Sequence, residues 1–408
     1  MEDHKHTINS EIIVNPPAEF GVKYRLWQGC PSIARTRGGR LYAGWYSGGR
    51  REPSMFNYNL LIRSDDEGLT WSKPLLVINS IPDKLLQSLD IQLWTDPSGK
   101  LWVFYTQRNY NSLPQWTPDH LNTWAVCCKD PDADEPQWEE PRFICCGFLR
   151  CQPTVLSDGR ILLPAYDWSG ERYQYFVSND NGETFQRRFA GKKVKTPFDE
   201  GMFLERKDKS ILLFARTSTG YIAKCESFDG GETWTDGENT DIPNPSTRVC
   251  IMRLKSGRVL LVNNMDSKER VAMTALLSDD DGKTFTHTML LDNCRNVSYP
   301  DVVQGDDGTI YIIWDRDRME TREVVIARLT ETDIIAGKVV EGSSFCGHIV
   351  SKSIIPDAFL QTEPLRSFME AEVRFFDRFN AEVYRDGGDC EKFREAVMEC
   401  KKYYQAMF

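Results

Sequence analysis

The chain has 408 residues, with 60 acidic side chains against 50 Lys and Arg and a formal net charge of −10. That balance argues against a nucleic-acid or anionic-membrane partner. The first thirty residues hold no apolar run of signal-peptide length, and no later stretch is apolar enough to span a bilayer, so a cytoplasmic location is expected.

The twelve cysteines include two adjacent pairs, Cys127-Cys128 and Cys145-Cys146, with no CxxC or Cys/His metal spacing. They read as reduced core and surface thiols. The five histidines, His4, His6, His120, His287 and His348, are too dispersed for a zinc site or a Ser-His-Asp triad. No Walker loop and no GxGxxG follows a strand. No metal and no cofactor is expected.

In chain order, residues 1–21 form an N-terminal extension, and a repeating pattern then begins. A polar turn precedes a short strand of β-branched, aromatic and leucine residues six times. The turns are Arg37–Arg40 before LYAGWY, Pro97–Lys100 before LWVFYT, Ser157–Arg160 before ILLPAY, Lys207–Ser210 before ILLFAR, Lys255–Arg258 before VLLVNN and Asp306–Thr309 before IYIIWD. Each is a hairpin signal, recurring at intervals of about 50 to 60 residues, the size of a four-stranded propeller blade.

A second repeat, Ser-x-Asp-x-Gly-x-Thr-aromatic, follows turns one, three, four and five. It occurs at Ser64–Trp71, Ser178–Phe185, Ser227–Trp234 and Ser278–Phe285. The Asp suits capping of backbone N–H groups in a tight turn, the Gly suits a positive φ, and the aromatic residue packs back under the hairpin. The stretch Lys129–Trp138 is the degenerate copy for the second unit. These patterns predict an all-β, six-bladed β-propeller over residues 22–355.

After Ile355 the character changes. Phe368, Phe375, Phe376, Phe379 and Val383 recur at helical spacing between Thr362 and Tyr384, Gly387-Gly388 interrupt, and Phe393, Val397 and Tyr404 suggest a second amphipathic helix. Residues 356–408 are expected to form a helical hairpin, either docked on the propeller rim or serving to join two copies of the chain.

The eight-residue motif is the Asp box of sialidase-like propellers, and the chain resembles that glycosyl hydrolase family over roughly residues 22–350. The strings RTSTGYIAKCESFDGGETW, RLKSGRVLLV, VSYPD and IARLTETDIIAGK carry the likeness. The resemblance implies a carbohydrate substrate at one mouth of the propeller. It implies Tyr299 as nucleophile, Glu200 as the base that activates it, and Arg216 and Arg270 as two arms of a carboxylate clamp. Arg248 is a further cationic candidate. A neutral Tyr attacks an anomeric carbon that bears a carboxylate without the repulsion a carboxylate nucleophile would meet, and arginines bind that carboxylate in bidentate fashion.

Two family features are missing. The first-blade Arg of the clamp is replaced by Gly29 in Gln28-Gly29-Cys30-Pro31. The loop expected to carry an acid/base Asp reads Ser47-Gly48-Gly49-Arg50-Arg51-Glu52-Pro53. Glu52 is the candidate acid there, and Arg50 or Arg51 the candidate replacement cation. The departures leave open a different acidic sugar, or a uronosidase- or rhamnosidase-like mechanism with paired carboxylates among Asp90, Asp301, Asp315 and Asp317. A non-catalytic carbohydrate-binding propeller is the third reading.

Overall fold

The apolar runs that follow the polar turns become the second strands of six antiparallel four-stranded units in the computed structural model, which describes residues 9–111, 121–383 and 388–408. Blade I comprises Trp27–Arg35, Leu41–Gly48, Tyr58–Ser64 and Leu76–Asn79. Blade II comprises Leu86–Thr95, Leu101–Asn109, Leu121–Cys128 and Arg142–Cys146. The innermost strand of blade III is broken into Phe148–Leu149 and Thr154–Val155, and its outer strands end at Lys192. Blades IV, V and VI begin at Gly201, Cys250 and Val297, and blade VI ends with Phe345–Lys352. The chain is therefore a six-bladed propeller with a short helical tail. His4, His6, His120, Tyr384 and Gly387 lie outside the described residues.

Each second strand is buried on both faces, and side chains of neighbouring blades interdigitate to form the core. Tyr42, Leu61, Leu93 and Val103 join blades I and II. Trp102, Phe104, Ile161 and Phe176 join II and III, and Tyr175, Phe203 and Leu213 join III and IV. Leu204, Leu261, Leu276 and Ile312 belong to the cluster that runs through blades IV, V and VI. Ile33, Trp45 and Leu60 meet Tyr311 and Ile326 to close the ring. Every such side chain withdrawn from water contributes on the order of 1.5–3 kcal/mol, so closure rests on these six interfaces rather than on one seam.

Each blade takes its four strands from one contiguous stretch of chain. The N-terminal extension adds a fifth strand, Glu11–Val14, on the outer edge of blade I, paired with Leu76–Asn79.

The four Asp boxes share one geometry. In the first, Asp66 Oδ1 accepts from Thr70 N at 2.8 Å and Oδ2 from Thr70 Oγ1 at 2.5 Å, while Ser64 Oγ accepts from Gly68 N at 2.9 Å. Gly68, Gly182, Gly231 and Gly282 all have φ between +81° and +95°. Trp71 folds back and donates its indole N–H to Gly68 O at 3.2 Å. The degenerate copy in blade II occupies the equivalent hairpin but turns its Asp to a neighbouring blade. Asp132 accepts from Gly38 N at 2.8 Å, and Pro131 O accepts from Tyr42 Oη at 2.7 Å. Blade VI replaces the box with a short helix, Glu331–Ala336, capped by Thr330 and Asp333.

The tail forms helices Asp357–Leu360, Glu363–Arg378 and Cys390–Gln405, with a wide turn at Phe379–Val383. Its apolar stripe faces the propeller. Phe368, Phe375, Phe379, Phe393 and Val397 pack with Met55, Phe56, Leu85 and Tyr110 from blades I and II.

Candidate active site

One end of the propeller axis opens into a cavity of about 330 Å³, within the size range of small-ligand sites. A larger hollow of about 480 Å³ lies between the outer side of blade I and the tail, and none of the candidate catalytic side chains reaches it.

A recurrent backbone device aims side chains into the cavity. The innermost strands of blades I, II and VI each carry a bulge, and each bulge holds a residue with positive φ: Cys30 at 58°, Asp90 at 38° and Tyr299 at 54°. A bulge re-aims a side chain that regular pleating would bury between blades, and strained φ values of this kind collect at functional sites. In blade III the corresponding strand is interrupted at Arg150. In blade IV, Glu200 immediately precedes the inner strand.

Arginines come from a second recurrent position, the link between the second and third strands. Arg216 stands there in blade IV, Arg270 in blade V and Arg318 in blade VI, and all three line the cavity.

Tyr299 is the centre of the constellation. Its hydroxyl donates to Glu200 Oε1 at 3.3 Å and accepts from Arg216 Nη1 at 3.2 Å, and Arg216 also bonds Glu200 Oε2 at 3.1 Å. The guanidinium carbons of Arg150, Arg318 and Arg270 lie 4.7, 5.2 and 5.6 Å from the centre of its ring. Burial, and then the negative charge of Glu200, push the Tyr299 phenol up to about 12, so it is neutral and needs a base. Burial works to raise Glu200 too, but the charges of Arg216 and Arg150 prevail and hold it below its ordinary value, so it stays ionised and ready to accept a proton. Neighbouring Asp199 turns away to Lys193, 2.8 Å distant.

Glu52 and Asp90 line the same cavity as Tyr299 and lie close together. Their oxygens, with Cys30 Sγ, lie within 4.8 Å of one another. Arg318 bonds Glu52 at 2.9 Å, and Arg150 pairs with Asp90 and approaches Glu52 at 3.7 Å. Burial, then the neighbouring carboxylates, raise Asp90 despite Arg150, whereas the arginines outweigh burial at Glu52 and lower it. Two carboxyl groups this close hold a single proton between them over a wide pH range. Glu52 presents its side chain to the opening, at 33% exposed against 2% for Asp90. The same cluster has a spacing that suits a cation, but Arg150 and Arg318 already supply its positive charge, and burial pushes the Cys30 thiol up to about 12, far from the thiolate that binds metal.

Five candidates from the sequence stand elsewhere. Arg248 is a structural hub, not a substrate ligand. It donates to Gln92 Oε1, Pro31 O, Tyr299 O and Pro300 O at 2.7–3.3 Å, and to Arg150 O, which ties the inner strands of five blades together. Asp301 plays the complementary part, accepting from Ser32 Oγ at 2.6 Å, Gln92 Nε2 at 3.0 Å and Gln152 Nε2 at 3.2 Å. It is committed beneath the cavity floor and does not face the cavity. Arg50 turns outward to the tail, where its Nη1 donates to Met369 O at 3.2 Å, and Arg51 lies over the Phe376 ring. Asp315 holds Cys30 N at 2.8 Å and Ser298 Oγ at 2.6 Å.

The missing first-blade cation is supplied from the other side of the ring closure. A Cβ on Gly29 would fall 2.1 Å from Cδ of Arg318. The hollow left by the absent side chain is filled by the Arg318 stem, which carries its guanidinium into the cavity. Sequence reasoning missed Arg318 and Arg150. It also missed the aromatic wall of Phe148, Tyr166, Trp168 and Phe198 that closes one side. The available signal was positional: Arg318 follows its second strand as Arg216 and Arg270 follow theirs.

A family model described as a BNR repeat-like domain matches residues 39–312, more than half of the chain. The anhydrosialidase of Macrobdella decora is 33% identical over 157 residues, 36% of this chain and 20% of that protein, so the match spans about a fifth of the length of the curated relative. Among solved structures, the intramolecular trans-sialidase from Ruminococcus gnavus in complex with oseltamivir carboxylate superposes with a TM-score of 0.63 at 15% identity. That match covers 81% of this chain and 99% of the other. The NanB sialidase from Streptococcus pneumoniae gives 0.60 at 15%, covering 77% and 68%. A protein of unknown function from Dyadobacter fermentans gives 0.60 at 17%, covering 75% and 94%. At these identities the superpositions establish the propeller, and the matched repeat supplies the family. The chain belongs to the sialidase-like BNR-repeat family.

Proposed function

We propose that this protein is a retaining, sialidase-type exo-glycosidase that removes a terminal sugar bearing a carboxylate at its anomeric carbon. The observation that carries the reading is the Tyr299–Glu200–Arg216 triangle at the floor of an arginine-lined cavity. Glu200 takes the Tyr299 proton as the phenol oxygen bonds to the anomeric carbon. Arg216, already donating to that oxygen, stabilises the charge that develops on it. The glycosidic C–O bond breaks, and the departing oxygen receives the proton held by the Glu52–Asp90 pair. In the second half the pair takes a proton from water, the water oxygen attacks the same carbon, and the tyrosinate leaves and recovers its proton from Glu200. Two displacements give net retention.

Arg216, Arg270 and Arg318, from three consecutive blades, hold the substrate carboxylate. Arg270 has no carboxylate within salt-bridge distance among the described residues and donates Nη2 only to Ser246 O. Its remaining donors suit an incoming anion. The substrate's charge also offsets the arginine field that keeps Glu52 ionised, which favours transfer of the shared proton to the side chain nearest the leaving group.

The aromatic wall supports a second outcome at the same site. Phe148, Tyr166, Trp168 and Phe198 screen one side of the cavity from water, and a hydroxyl of the bound sugar would then compete as the second nucleophile, giving an anhydro sugar. The test is turnover of a fluorogenic α-sialoside, with glucuronide and rhamnoside controls and product analysis by NMR. Wild-type turnover that vanishes in Tyr299→Phe and Glu200→Gln is expected. Sialoside turnover unchanged in both variants overturns the mechanism, and activity only on a control overturns the substrate class.

A further inference from the structure

The loop that carries Glu52 is not held by the propeller alone. Gly48 to Asn57 leaves the second strand of blade I and crosses the rim beneath the helical tail. On its inner side, Gln87 Nε2 donates to Ser54 O at 2.6 Å, and Gln87 is fixed in turn by Tyr110 Oη at 2.6 Å. On its outer side the tail adds a second set of contacts. Phe56 packs against Phe368 and Tyr404, with ring centres 5.3 and 4.9 Å away. Arg51 lies 3.8 Å from the centre of the Phe376 ring, and Arg50 reaches Met369 O.

Between these contacts sits a carboxylate that the proposed chemistry does not use. Glu372, on the helix Glu363–Arg378, is fully buried, which is rare for an acidic residue. Its Oε1 accepts from Ser54 Oγ at 2.5 Å and its Oε2 accepts from Arg50 N at 2.9 Å. The two bonds pin the loop on either side of Glu52. Gly49 makes room for this approach, since a Cβ there would lie 2.6 Å from Glu372 Oε1 and 2.5 Å from Ser54 Oγ. A buried carboxylate with two well-made bonds to one loop specifies that loop's path far more sharply than apolar packing does.

We propose that the C-terminal helical pair is a positioning element of the active site, and that Glu372 is the positioning residue that holds the Gly49–Phe56 loop so that Glu52 faces the leaving group. The proposal rests on the reading of Glu52 as the exposed member of the proton-donating pair. It gives the tail a part in the chemistry although none of its described residues lines the cavity.

The experiment uses the full chain as wild type, Glu372→Ala, Glu372→Gln and Ser54→Ala. Ser54→Ala cuts the same tie from the propeller side and leaves the tail sequence intact, so a fold defect in Glu372→Ala does not end the test. Hydrogen exchange at the Arg50 amide is expected to quicken by about tenfold or more in Glu372→Ala, with the blade strands unchanged. For an alkyl sialoside, whose leaving group needs a proton, kcat should fall about 10- to 100-fold in Glu372→Ala and Ser54→Ala. For a nitrophenyl sialoside, which leaves unaided, kcat should stay within about threefold, and KM should hardly move. Glu372→Gln, which still accepts from Arg50 N, should restore most of the loss.

Unchanged Arg50 exchange in Glu372→Ala with a folded tail overturns the proposal, and so does an equal loss for both leaving groups. If wild type cleaves no sialoside, the glycosidase reading falls on its own. The exchange result then decides the tie between tail and loop.

Discussion

The outer hairpins of this propeller and the inner ends of its blades are built on opposite plans. At the outer rim one eight-residue motif repeats four times, and each copy satisfies its own backbone within four residues of its Asp. At the cavity every blade contributes, from Arg270 alone in blade V to Phe148, Arg150, Tyr166 and Trp168 in blade III, and almost every partner lies far away in sequence: Tyr299 with Glu200, Arg318 with Glu52, Arg150 with Asp90. The rim is redundant and local, whereas the cavity is unique and distributed. Substitutions at the rim should therefore cost stability and leave chemistry alone, and substitutions at the cavity should do the reverse.

The largest break is expected at the cavity floor. Tyr299→Phe removes the attacking oxygen and Glu200→Gln removes the base, and each should lower kcat by on the order of 10³-fold or more. Circular dichroism and Tm should stay close to wild type. A loss of activity that tracks a loss of fold would erase the distinction drawn between the two regions.

Glu372 belongs to neither plan, because it lies where an outer element reaches the inner loop. Burial, offset only in part by the hydrogen bonds of Ser54 and Arg50 N and the charges of Arg50 and Arg51, raises its pKa from 4.5 to about 7. Cys400 and Tyr404 also face it from the helix Cys390–Gln405. A carboxyl raised in the folded state binds its proton more tightly there than in the unfolded chain. Below pH 4.5 both states are protonated and nothing is lost. As pH climbs from 4.5 to 7 the unfolded chain ionises first, and folding becomes less favourable by at most about 3 kcal/mol. Glu372→Gln should therefore be more stable than wild type at pH 8 and nearly equal to it at pH 4. Urea unfolding at the two pH values measures the difference, and a gain that is the same at both would show that ionisation has no part in it.

Gly29 offers a smaller and more local break. Gly29→Ala would place a methyl group 2.1 Å from Arg318 Cδ and so should drive that arginine out of its position. KM for an anionic substrate is expected to rise by about tenfold, the value of one charge-assisted hydrogen bond. Gly29→Arg combined with Arg318→Ala, which returns the cation to blade I, should recover much of it. Failure of the pair to improve on Gly29→Ala would mean that Arg318 does not act as the third cation.

The same division explains what was legible in the sequence. Asp boxes and hairpin turns are short-range patterns, so blade number, strand order and the helical tail could be read directly. Glu200, Arg216, Arg270 and Tyr299 fell at fixed offsets from those patterns and do converge on the cavity. Arg248 and Asp301 had the right residue types and the right neighbourhood. Only the three-dimensional path of the inner strands shows that their hydrogen bonds hold the ring together. Arg318 is the opposite case: its place after the second strand is readable, but its role follows from a side chain that Gly29 lacks, nearly 290 residues away.

The smallest effects belong to the boxes themselves, and they test redundancy most directly. Asp180, Asp229 and Asp280 are all exposed carboxylates held below the usual range mainly by a threonine hydroxyl and amide of their own turn. Replacing any one by Ala frees a single surface hairpin while the core on either side of that blade stays packed. Each single variant should lower Tm by roughly 1–2 °C, as expected for the loss of one cap in a chain of this size, with kcat and KM unchanged. The triple variant should show the sum, because the three hairpins lie on different blades and share no partner. A drop well beyond additivity would mean that the boxes couple through the blade interfaces. The rim would then be a cooperative band, and the contrast with the cavity would no longer be one of local against distributed construction.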